Sequence, residues 1–335
     1  MRRYIARRLL ISVPTLLVIS AVVFLVVDLA PGSPASQIPQ TIPAEVRARI
    51  IEQMGVNEPA LWRYLLWLRQ VFMIEPLAAL DATFGTAMAE GQARITSWQS
   101  RGPVMEVIAE RLPQTLAVVG GGYLLGAVLA LPIGIVAALR PGGLWDRGLG
   151  LVTLLGVSLP TFLTAALVSL LFAARLGWFP TAYDTTLRVT DWASLGQQVR
   201  QMALPVGVLA LANAAVIGRY LRAAMQEVLP QDHVRAARAR GLSEMRVVLV
   251  HVLPNALIPV VTVIALGLPT VFGGAIVTET IFKVNGIGAA LIGAIRASDL
   301  PMVQTIVFLF AVLVVLCNLI ADVLYAALDP RLRHG

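Results

Sequence analysis

The sequence has few charged residues for its length. Only 13% of its 335 residues are Asp, Glu, Lys or Arg, whereas 58% are hydrophobic. A typical soluble domain has roughly 25% charged residues. The apolar residues occur in long uninterrupted runs, and the mean hydropathy is +0.79. Because a soluble protein could not bury so much apolar surface, the composition excludes that class and predicts an integral membrane protein.

Residue types that build catalytic and metal sites are also scarce. The single cysteine, Cys317, excludes an intrachain disulfide, and the three histidines form no His-Glu-x-x-His metal motif. The single lysine, Lys283, follows Phe282 instead of the glycine that precedes the lysine of a P-loop. The chain therefore has no Walker A site for ATP, and we expect no catalytic residues, no cofactor and no bound metal.

Six apolar segments reach the length of about 20 residues that a helix needs to cross a bilayer. They are residues 9–29, 115–139, 149–174, 202–221, 256–281 and 303–327. Prolines such as Pro160 lie inside several of them, which membrane helices tolerate where neighbours satisfy the freed backbone groups. The first segment follows four arginines but exceeds the apolar region of about 7–15 residues in a signal peptide, so we interpret it as a retained anchor helix.

The distribution of basic residues predicts that both termini lie in the cytoplasm. In that topology the inside segments contain 14 of the 26 basic residues against five acidic ones. The outside segments contain 12 basic and 12 acidic residues and are balanced. Cytoplasmic segments of membrane proteins carry such an excess of Lys and Arg. The net charge of +7 is therefore interpreted as a topology signal, and no nucleic-acid partner is expected.

The predicted topology divides the chain into four parts. Residues 1–30 form an N-terminal anchor helix, 31–113 an external segment, 114–330 a five-helix core with a cytoplasmic loop at about 222–253, and 331–335 a cytoplasmic tail. Within the external segment, residues 43–54 and 59–72 have helical periodicity, 104–112 predict a short amphipathic helix, and 78–101 predict a loop.

Few polar residues lie inside the predicted spans. Asp28 and Asp322 are interpreted as structural residues near span ends, and Asn213 and Asn318 as residues that hydrogen-bond between helices. A proton-coupled carrier would be expected to have more buried acids. A carrier that works alone, driven by an ion gradient, is nevertheless the rival hypothesis.

The cytoplasmic loop predicts two short helices separated by Gly241. Asp232 and Ser243 are the candidate N-caps of these helices. The small residues Ala236 and Ala237 leave room for another surface to approach. Four arginines surround them, which are Arg235, Arg238, Arg240 and Arg246.

The spacing within this loop carries a resemblance. Ala236-Ala237-x-x-x-Gly241, followed after nine residues by His251-x-Leu253-Pro254, resembles the EAA loop of binding-protein-dependent ABC importer permeases. Arg235 stands at the place of the name-giving Glu, and His251 at the place of the usual Ile. An Arg at the first of these places is similar to the dipeptide, oligopeptide and nickel branch of that family.

Segments along nearly the whole chain are similar to the same branch. They are residues 1–10, 28–34, 54–68, 111–116, 279–288 and 322–331. The resemblance implies an all-α integral membrane fold of the type I ABC importer permease kind, with six transmembrane helices, in the bacterial cytoplasmic (inner) membrane. It further implies a permease subunit of an ATP-driven importer for di- or oligopeptides, with nickel or another small solute as the alternative cargo.

The resemblance also implies partners and site residues. The partners would be separate ATP-hydrolysing nucleotide-binding subunits, a second homologous permease subunit, an extracytoplasmic substrate-binding protein and membrane lipid. The expected ATPase-coupling residues are Asp232, Arg235, Ala236, Ala237, Arg238 and Gly241. The candidate contacts to the binding protein are Glu279, Asn285 and Asp299.

Overall fold

The structure, a computed structural model, describes residues 2–29, 43, 45 and 58–328, apart from the side chains of 2–6, 155–158, 269–275 and 324–328. In this part of the chain the regular structure is helical and no β-strand forms. The α-helices, in chain order, are α1 (Arg2–Asp28), α2 (Ala60–Arg69), α3 (Glu75–Phe84), α4 (Val104–Thr115), α5 (Gly121–Leu139), α6 (Leu144–Ser158), α7 (Thr161–Val168), α8 (Trp192–Val228), α9 (Asp232–Ala239), α10 (Glu244–Arg246), α11 (Leu253–Phe282), α12 (Ile287–Arg296) and α13 (Leu300–Leu328). Wider π-helical turns extend α2, α4, α7 and α10, and they are Gln70–Ile74, Leu116–Gly120, Ser169–Arg175 and Val247–Val252.

The predicted membrane spans appear as long apolar helices. Five helical segments of the described chain are long and apolar enough to cross a membrane, and they are Arg7–Asp28, Val104–Leu139, Trp192–Val228, Glu244–Leu268 and Leu300–Val323. A sixth would be the pair Ile276–Phe282 and Ile287–Arg296, whose two helices meet at 86°. The all-α membrane fold is confirmed, with five or six spans by length and composition.

The third predicted span, residues 149–174, is not one continuous helix. Helix α6 ends at Ser158, and a separate apolar helical segment, Thr161–Arg175, follows. Pro160 lies at the break with ψ 136, outside the helical range. Proline has no backbone N–H and disfavours helical geometry at the residue before it, so the break follows from the sequence at this position.

The chain forms two compact units. The core unit consists of Met1–Leu9, Gln114–Gly288 and Leu313–Gly335, and the N-terminal unit consists of Leu10–Pro113 and Ala289–Val312. The division predicted from topology, with boundaries at 30, 113 and 330, stays a prediction because compactness does not report on which side of a membrane a segment lies.

In the core unit, α5 lies against the long helix α8 through a stripe of small residues. The small-residue stripe consists of Gly122, Gly126, Ala130 and Gly134, spaced four residues apart. A Cβ added at Gly126 would lie 2.8 Å from the backbone oxygen of Ala210, and one at Gly134 would lie 3.0 Å from that of Gly218. Small residues at this spacing allow membrane helices to pack backbone against backbone.

Two polar residues of the spans, Asp322 and Asn213, each have a partner in the structure. Asp322 pairs with Arg8 at 3.1 Å, which confirms its structural interpretation. Asn213 donates to the backbone oxygen of Leu209 in its own helix at 2.7 Å, so the predicted hydrogen bond between helices is wrong for this residue. Its side chain satisfies itself within one turn of α8, as a helical Asn can do towards the residue four positions earlier.

In the N-terminal unit, α1 and α2 are joined by polar and aromatic contacts. Asp28 pairs with Arg63 at 2.7 Å, which confirms its structural interpretation. The hydroxyls of Ser20 and Tyr64 lie 2.8 Å apart, and the rings of Phe24 and Tyr64 are 5.3 Å apart. These contacts hold the end of α1 against α2.

Helix predictions in that segment are partly confirmed. Residues 59–72 are helical over Ala60–Ile74, and residues 104–112 over Val104–Thr115. The predicted loop at 78–101 is wrong for its first part, because α3 continues to Phe84 and ends at Gly85 with φ +67. The predicted helix at 43–54 lies outside the described residues, apart from Pro43 and Glu45.

Candidate functional site

The loop between α8 and α11 folds into the helix–turn–helix that its sequence predicts. Helix α9 ends at Ala239, and Gly241 follows with φ +77, a conformation that a side chain would strain. The Gly241 N–H donates to the backbone oxygen of Arg238 at 2.9 Å. The second helix is not short as predicted, because α10 continues through a π-helical turn into α11. Any movement of this turn is therefore connected directly to a span.

The inner face of α9 is apolar and buried. Val234 and Ala237 have no exposed surface, and they join a cluster with residues of α8 and of the segment that follows α10. The members from these two elements include Leu221, Met225, Val228, Val247, Val248 and Val252. Burying a valine side chain contributes about 1.5 kcal/mol or more, so α9 is anchored to both α8 and the start of α11.

Polar contacts complete this anchoring. Arg238 donates two hydrogen bonds to the Glu244 carboxylate, at 3.1 and 2.6 Å, and so closes the turn around Gly241. The hydrogen bond from Arg238 to Glu244 raises the pKa of the guanidinium further above its ordinary value. His233 Nε2 lies 3.2 Å from the backbone oxygen of His251. The side chains of Arg238 and Glu244 are both more than a third exposed, so their ion pair orients the turn more than it stabilises the fold.

The outer face of α9 presents charge and small side chains. Five of the six predicted coupling residues are exposed, and they are Asp232, Arg235, Ala236, Arg238 and Gly241. Asp232 and Arg235 pair with each other at 2.6 Å along the helix. We call this exposed set the α9 outer face.

Two details of the predicted site need correction. Ala237 belongs to the buried inner face, because it lies three residues after Val234 and shares its side of the helix. Asp232 is the first helical residue and Gln231 occupies the N-cap position, while Ser243 occupies the second N-cap position without a side-chain hydrogen bond. Glu244, the partner of Arg238, was not predicted as a site residue, since the turn that brings them together lies between them.

A second loop of the core unit is ordered by an ion pair. Arg222 donates to Asp146 at 2.9 Å, and the Gly142 N–H donates to the same carboxylate at 2.8 Å. The hydrogen bond from Arg222 holds the pKa of Asp146 below its ordinary value, with the Gly142 N–H acting in the same direction. The loop between α5 and α6 is therefore attached to α8 at Arg222, ten residues before α9 begins at Asp232.

Two of the three predicted contacts to a binding protein are buried. Glu279 has no exposed surface and accepts a hydrogen bond from the Thr115 hydroxyl at 2.7 Å. The same hydroxyl accepts the Ile287 N–H at 2.8 Å, so the group joins α4, α11 and α12. A side chain without exposed surface is not available to a docked protein in this structure, so the contact at Glu279 stays a prediction. Asn285 is exposed and stays a candidate contact.

Asp299 is buried in the same manner in the N-terminal unit. It is 1% exposed and accepts the backbone N–H groups of Trp98 and Gln99 at 3.0 and 3.2 Å, together with the Ser97 hydroxyl. These bonds attach the loop before α4 to the start of α13. The predicted direct contact of Asp299 with a partner does not fit this burial.

Comparison with known families covers both parts of the chain. Residues 130–334 match the family described as "Binding-protein-dependent transport system inner membrane component". Residues 1–119 match the family described as "Binding-prot-dependent transport system membrane comp, N-term".

Individual relatives are similar over their whole length. The oligopeptide transport system permease protein AppB of Bacillus subtilis is 35% identical, with 100% of each chain covered. The di/tripeptide transport system permease protein DppB of Pseudomonas aeruginosa is 36% identical over 100% of this chain and 99% of the relative. The glutathione transport system permease protein GsiC of Salmonella paratyphi A is 36% identical, again with 100% of each covered.

A solved structure shares the fold. A chain of the MetNI methionine ABC transporter, in inward-facing conformations, superposes with a TM-score of 0.51 over 67% of this chain and 97% of its own length. The two sequences are 21% identical, so this likeness concerns the fold alone.

Proposed function

The chain belongs to the family of binding-protein-dependent transport system inner membrane components, and from this membership we propose that it is the permease through which an ATP-driven importer moves peptides. As a family member it is a multi-pass protein of the inner membrane and the membrane component of a transport system. The peptide assignment rests on one observation, which is the full-length similarity to permeases named for oligopeptides, di/tripeptides and glutathione. All three substrate names denote short peptides, and the similarity does not favour the nickel alternative.

The energy source would be a separate subunit. The sequence has no Walker A lysine, so ATP would be hydrolysed by nucleotide-binding partners that dock on the α9 outer face. A second homologous permease would complete the membrane path, and a substrate-binding protein would deliver the peptide at the opposite side, with Asn285 as a candidate contact.

The anchoring of α9 supports this coupling role. A helix that slid over the surface of the core unit could not transmit force, whereas α9 is attached to α8 and to the start of α11 by Val234 and Ala237. Movement of α9 by a partner would therefore displace both spans together. Coupling then requires that the partner's contacts with α9 differ between two global states of the transporter.

Two adjacent alanines provide a matched test of coupling. Ala236→Arg adds a long side chain to the exposed outer face, so the protein should insert and fold normally but lose its ATPase partner and ATP-dependent uptake. Ala237→Arg places a charge in the buried cluster and should reduce the amount of folded protein instead. Gly241→Asp should resemble Ala236→Arg, with added backbone strain from φ +77.

The measurement is uptake of a labelled tripeptide by the reconstituted complex, together with co-purification of the ATPase. Arg188→Glu, on the exposed loop between the π-helical turn Ser169–Arg175 and α8, is the control for a surface charge change. Normal co-purification and uptake in both Ala236→Arg and Gly241→Asp would contradict the coupling role. Uptake driven by an ion gradient without ATP or partners would instead favour a stand-alone carrier, and a parallel assay with Ni²⁺ tests the alternative cargo.

A further inference from the structure

The exposed side of one helix in the N-terminal unit is almost entirely apolar. This helix runs from Ala60 to Phe84 through α2, the π-helical turn Gln70–Ile74 and α3. Its exposed residues are apolar or aromatic, apart from Arg69 and Thr83. Six of the large apolar side chains on that side are 40–69% exposed, and they are Leu61, Leu65, Leu66, Phe72, Met73 and Leu80. We call these six residues the α2–α3 stripe.

The other polar residues of this helix point towards the rest of the N-terminal unit. Arg63 forms the ion pair with α1 described above, and Gln70 donates to the Ala93 oxygen at 3.1 Å. Glu75 is buried and accepts the Ile95 N–H at 3.0 Å. A surface helix in water has its apolar stripe towards the core and its polar residues outside. This helix has the reverse arrangement, which suits an apolar solvent.

Two contacts show how far the helix reaches along the neighbouring spans. The Tyr64 hydroxyl lies 2.8 Å from that of Ser20 in α1, and the Trp67 ring packs edge-on against Phe308 of α13 at 5.2 Å. Ser20 lies eight residues before the end of α1 at Asp28, and Phe308 lies eight residues after the start of α13; both ends are limits of candidate spans. Eight helical residues rise about 12 Å, and half of the hydrocarbon core is about 15 Å. Both contacts therefore lie at the depth of one leaflet.

The polar side of the helix lies towards the ends of the same spans. Ala93 and Ile95, the partners of Gln70 and Glu75, belong to the loop before α4. Asp299 attaches this loop to the start of α13. Polar side chains thus lie near the span ends and aromatic ones deeper, which is the arrangement of an amphipathic helix in a membrane interface.

The two polar residues on the exposed side already have partners. Arg69 donates to the Gln92 side chain at 3.0 Å, and the Thr83 hydroxyl donates to the Ala79 oxygen of its own helix at 2.8 Å. A protein interface contains about one hydrogen bond per 100–200 Å². A stripe whose polar groups are already bonded suits acyl chains better, because these form no hydrogen bonds.

We propose that the helix Ala60–Phe84 lies in the membrane interface, with the α2–α3 stripe among the phospholipid acyl chains of one leaflet. In the predicted topology this is the outer leaflet, so this part of the segment 31–113 is bound to the membrane and is not a domain in water. Removal of the stripe from water holds the helix in place and, through Gln70 and Glu75, the loop before α4. The inference does not depend on which substrate is transported.

Spin labels on the stripe test this placement in the assembled transporter, reconstituted in liposomes of phosphatidylethanolamine and phosphatidylglycerol. Cys317→Ala first removes the single cysteine. Leu65→Cys, Met73→Cys and Leu80→Cys then carry the label one at a time. Collisions of the label are measured with oxygen, which concentrates in lipid, and with a nickel chelate that stays in water.

Two labelled positions outside the stripe provide the references. Val18→Cys lies on a candidate span at a residue that is 63% exposed, and Glu90→Cys lies on the exposed loop after α3. The stripe labels should match Val18→Cys, with frequent oxygen collisions and a loss of nickel collisions relative to Glu90→Cys. Frequent nickel collisions at the stripe would overturn the proposal. Protection from both reagents would also overturn it and assign the stripe to a second permease or a binding protein.

A photo-crosslinker gives a second measurement that needs no cysteine. Met73→benzoylphenylalanine replaces a side chain that is 60% exposed, and irradiation of the transporter with its binding protein present should give an adduct with phospholipid. Glu90→benzoylphenylalanine is the control in water and should give no lipid adduct. An adduct of the Met73 variant with another subunit, without a lipid adduct, would refute the lipid assignment.

Discussion

Gly126 lies where α5 passes close to α8, and its replacement by alanine tests whether the small-residue stripe sets the packing of these two helices. A Cβ at this position would lie 2.8 Å from the Ala210 oxygen and 2.8 Å from the Asn213 Cβ. Neither atom can rotate away, because a carbonyl oxygen and a Cβ are both attached to the α8 backbone. Carbon atoms normally pack at about 3.5–4.0 Å, so the helices would have to separate by roughly 1 Å.

The size of the effect follows from a matched control on the same continuous helix. At Gly120 an added Cβ would have no heavy atom within 4 Å. Alanine gains about 1 kcal/mol over glycine in a helix at both positions, so this term cancels in the comparison. Overpacking by one carbon costs about 1–3 kcal/mol. We therefore expect Gly126→Ala to be about 1–3 kcal/mol less stable than Gly120→Ala.

The measurement is equilibrium unfolding of the purified chain in mixed micelles with increasing dodecyl sulfate, followed by tryptophan fluorescence. Gly120→Ala should unfold at or above the dodecyl sulfate fraction of wild type, and Gly126→Ala below that of Gly120→Ala. Equal unfolding free energies for the two variants would refute the inference that α5 and α8 are in backbone contact at this stripe.

Three further predictions concern the buried and paired acids. A Cβ at Gly286 would lie 2.2 Å from the Glu279 carboxylate, so Gly286→Ala should destabilise the protein by about 1–3 kcal/mol. In a Glu279→Ala background the same substitution should destabilise the protein by clearly less. Additive effects in this double-mutant cycle would contradict the contact. Asp299→Ala removes the acceptor of two backbone N–H groups and should lower the free energy of unfolding by about 1.5–3 kcal/mol or more. Proteolysis at residues 94–103 should become faster, and an unchanged cleavage rate would count against this prediction. Because the folded-state pKa of Asp146 is lowered, its pairing with Arg222 stabilises the fold above the ordinary pKa of 3.8 and is lost as the pH falls through the lowered value. The difference in thermal midpoint between wild type and Arg222→Gln should therefore narrow on acidification below that value, and a constant difference would disprove the linkage.

The predictable part of the fold is its set of apolar helices. Lipid requires about 20 apolar residues and internal satisfaction of the backbone, and both conditions can be read along the chain without knowledge of packing. The break within residues 149–174 was not predicted, although Pro160 has the known effect of proline on the preceding residue. Hydropathy alone, however, does not distinguish a kinked helix from a broken one.

The position of the candidate site along the chain was predictable, but the face of α9 that is exposed was not. The spacing to Gly241 placed the turn correctly, because glycine is the residue that adopts positive φ without strain. Adjacent alanines, by contrast, have identical local preferences. Ala236 faces outward and Ala237 inward because Val234 has an apolar cluster to pack against, and that cluster includes residues of α8.

The buried acids show why charge in a predicted loop does not ensure exposure. Asp299 binds a hydroxyl 202 positions earlier in the chain, and Glu279 binds one 164 positions earlier. Both residues were candidate contacts to a binding protein, which requires exposure, and neither has its hydroxyl partner close to it in the sequence.

The sequence by itself determined that this protein is a helical membrane protein without a Walker A motif, because lipid solvation and the absent P-loop lysine are properties of single segments. The tertiary structure decided which face of α9 is exposed and which acids are buried. Those features depend on contacts between residues far apart in the chain, because a side chain's surroundings, and not its identity alone, determine whether it is exposed or buried.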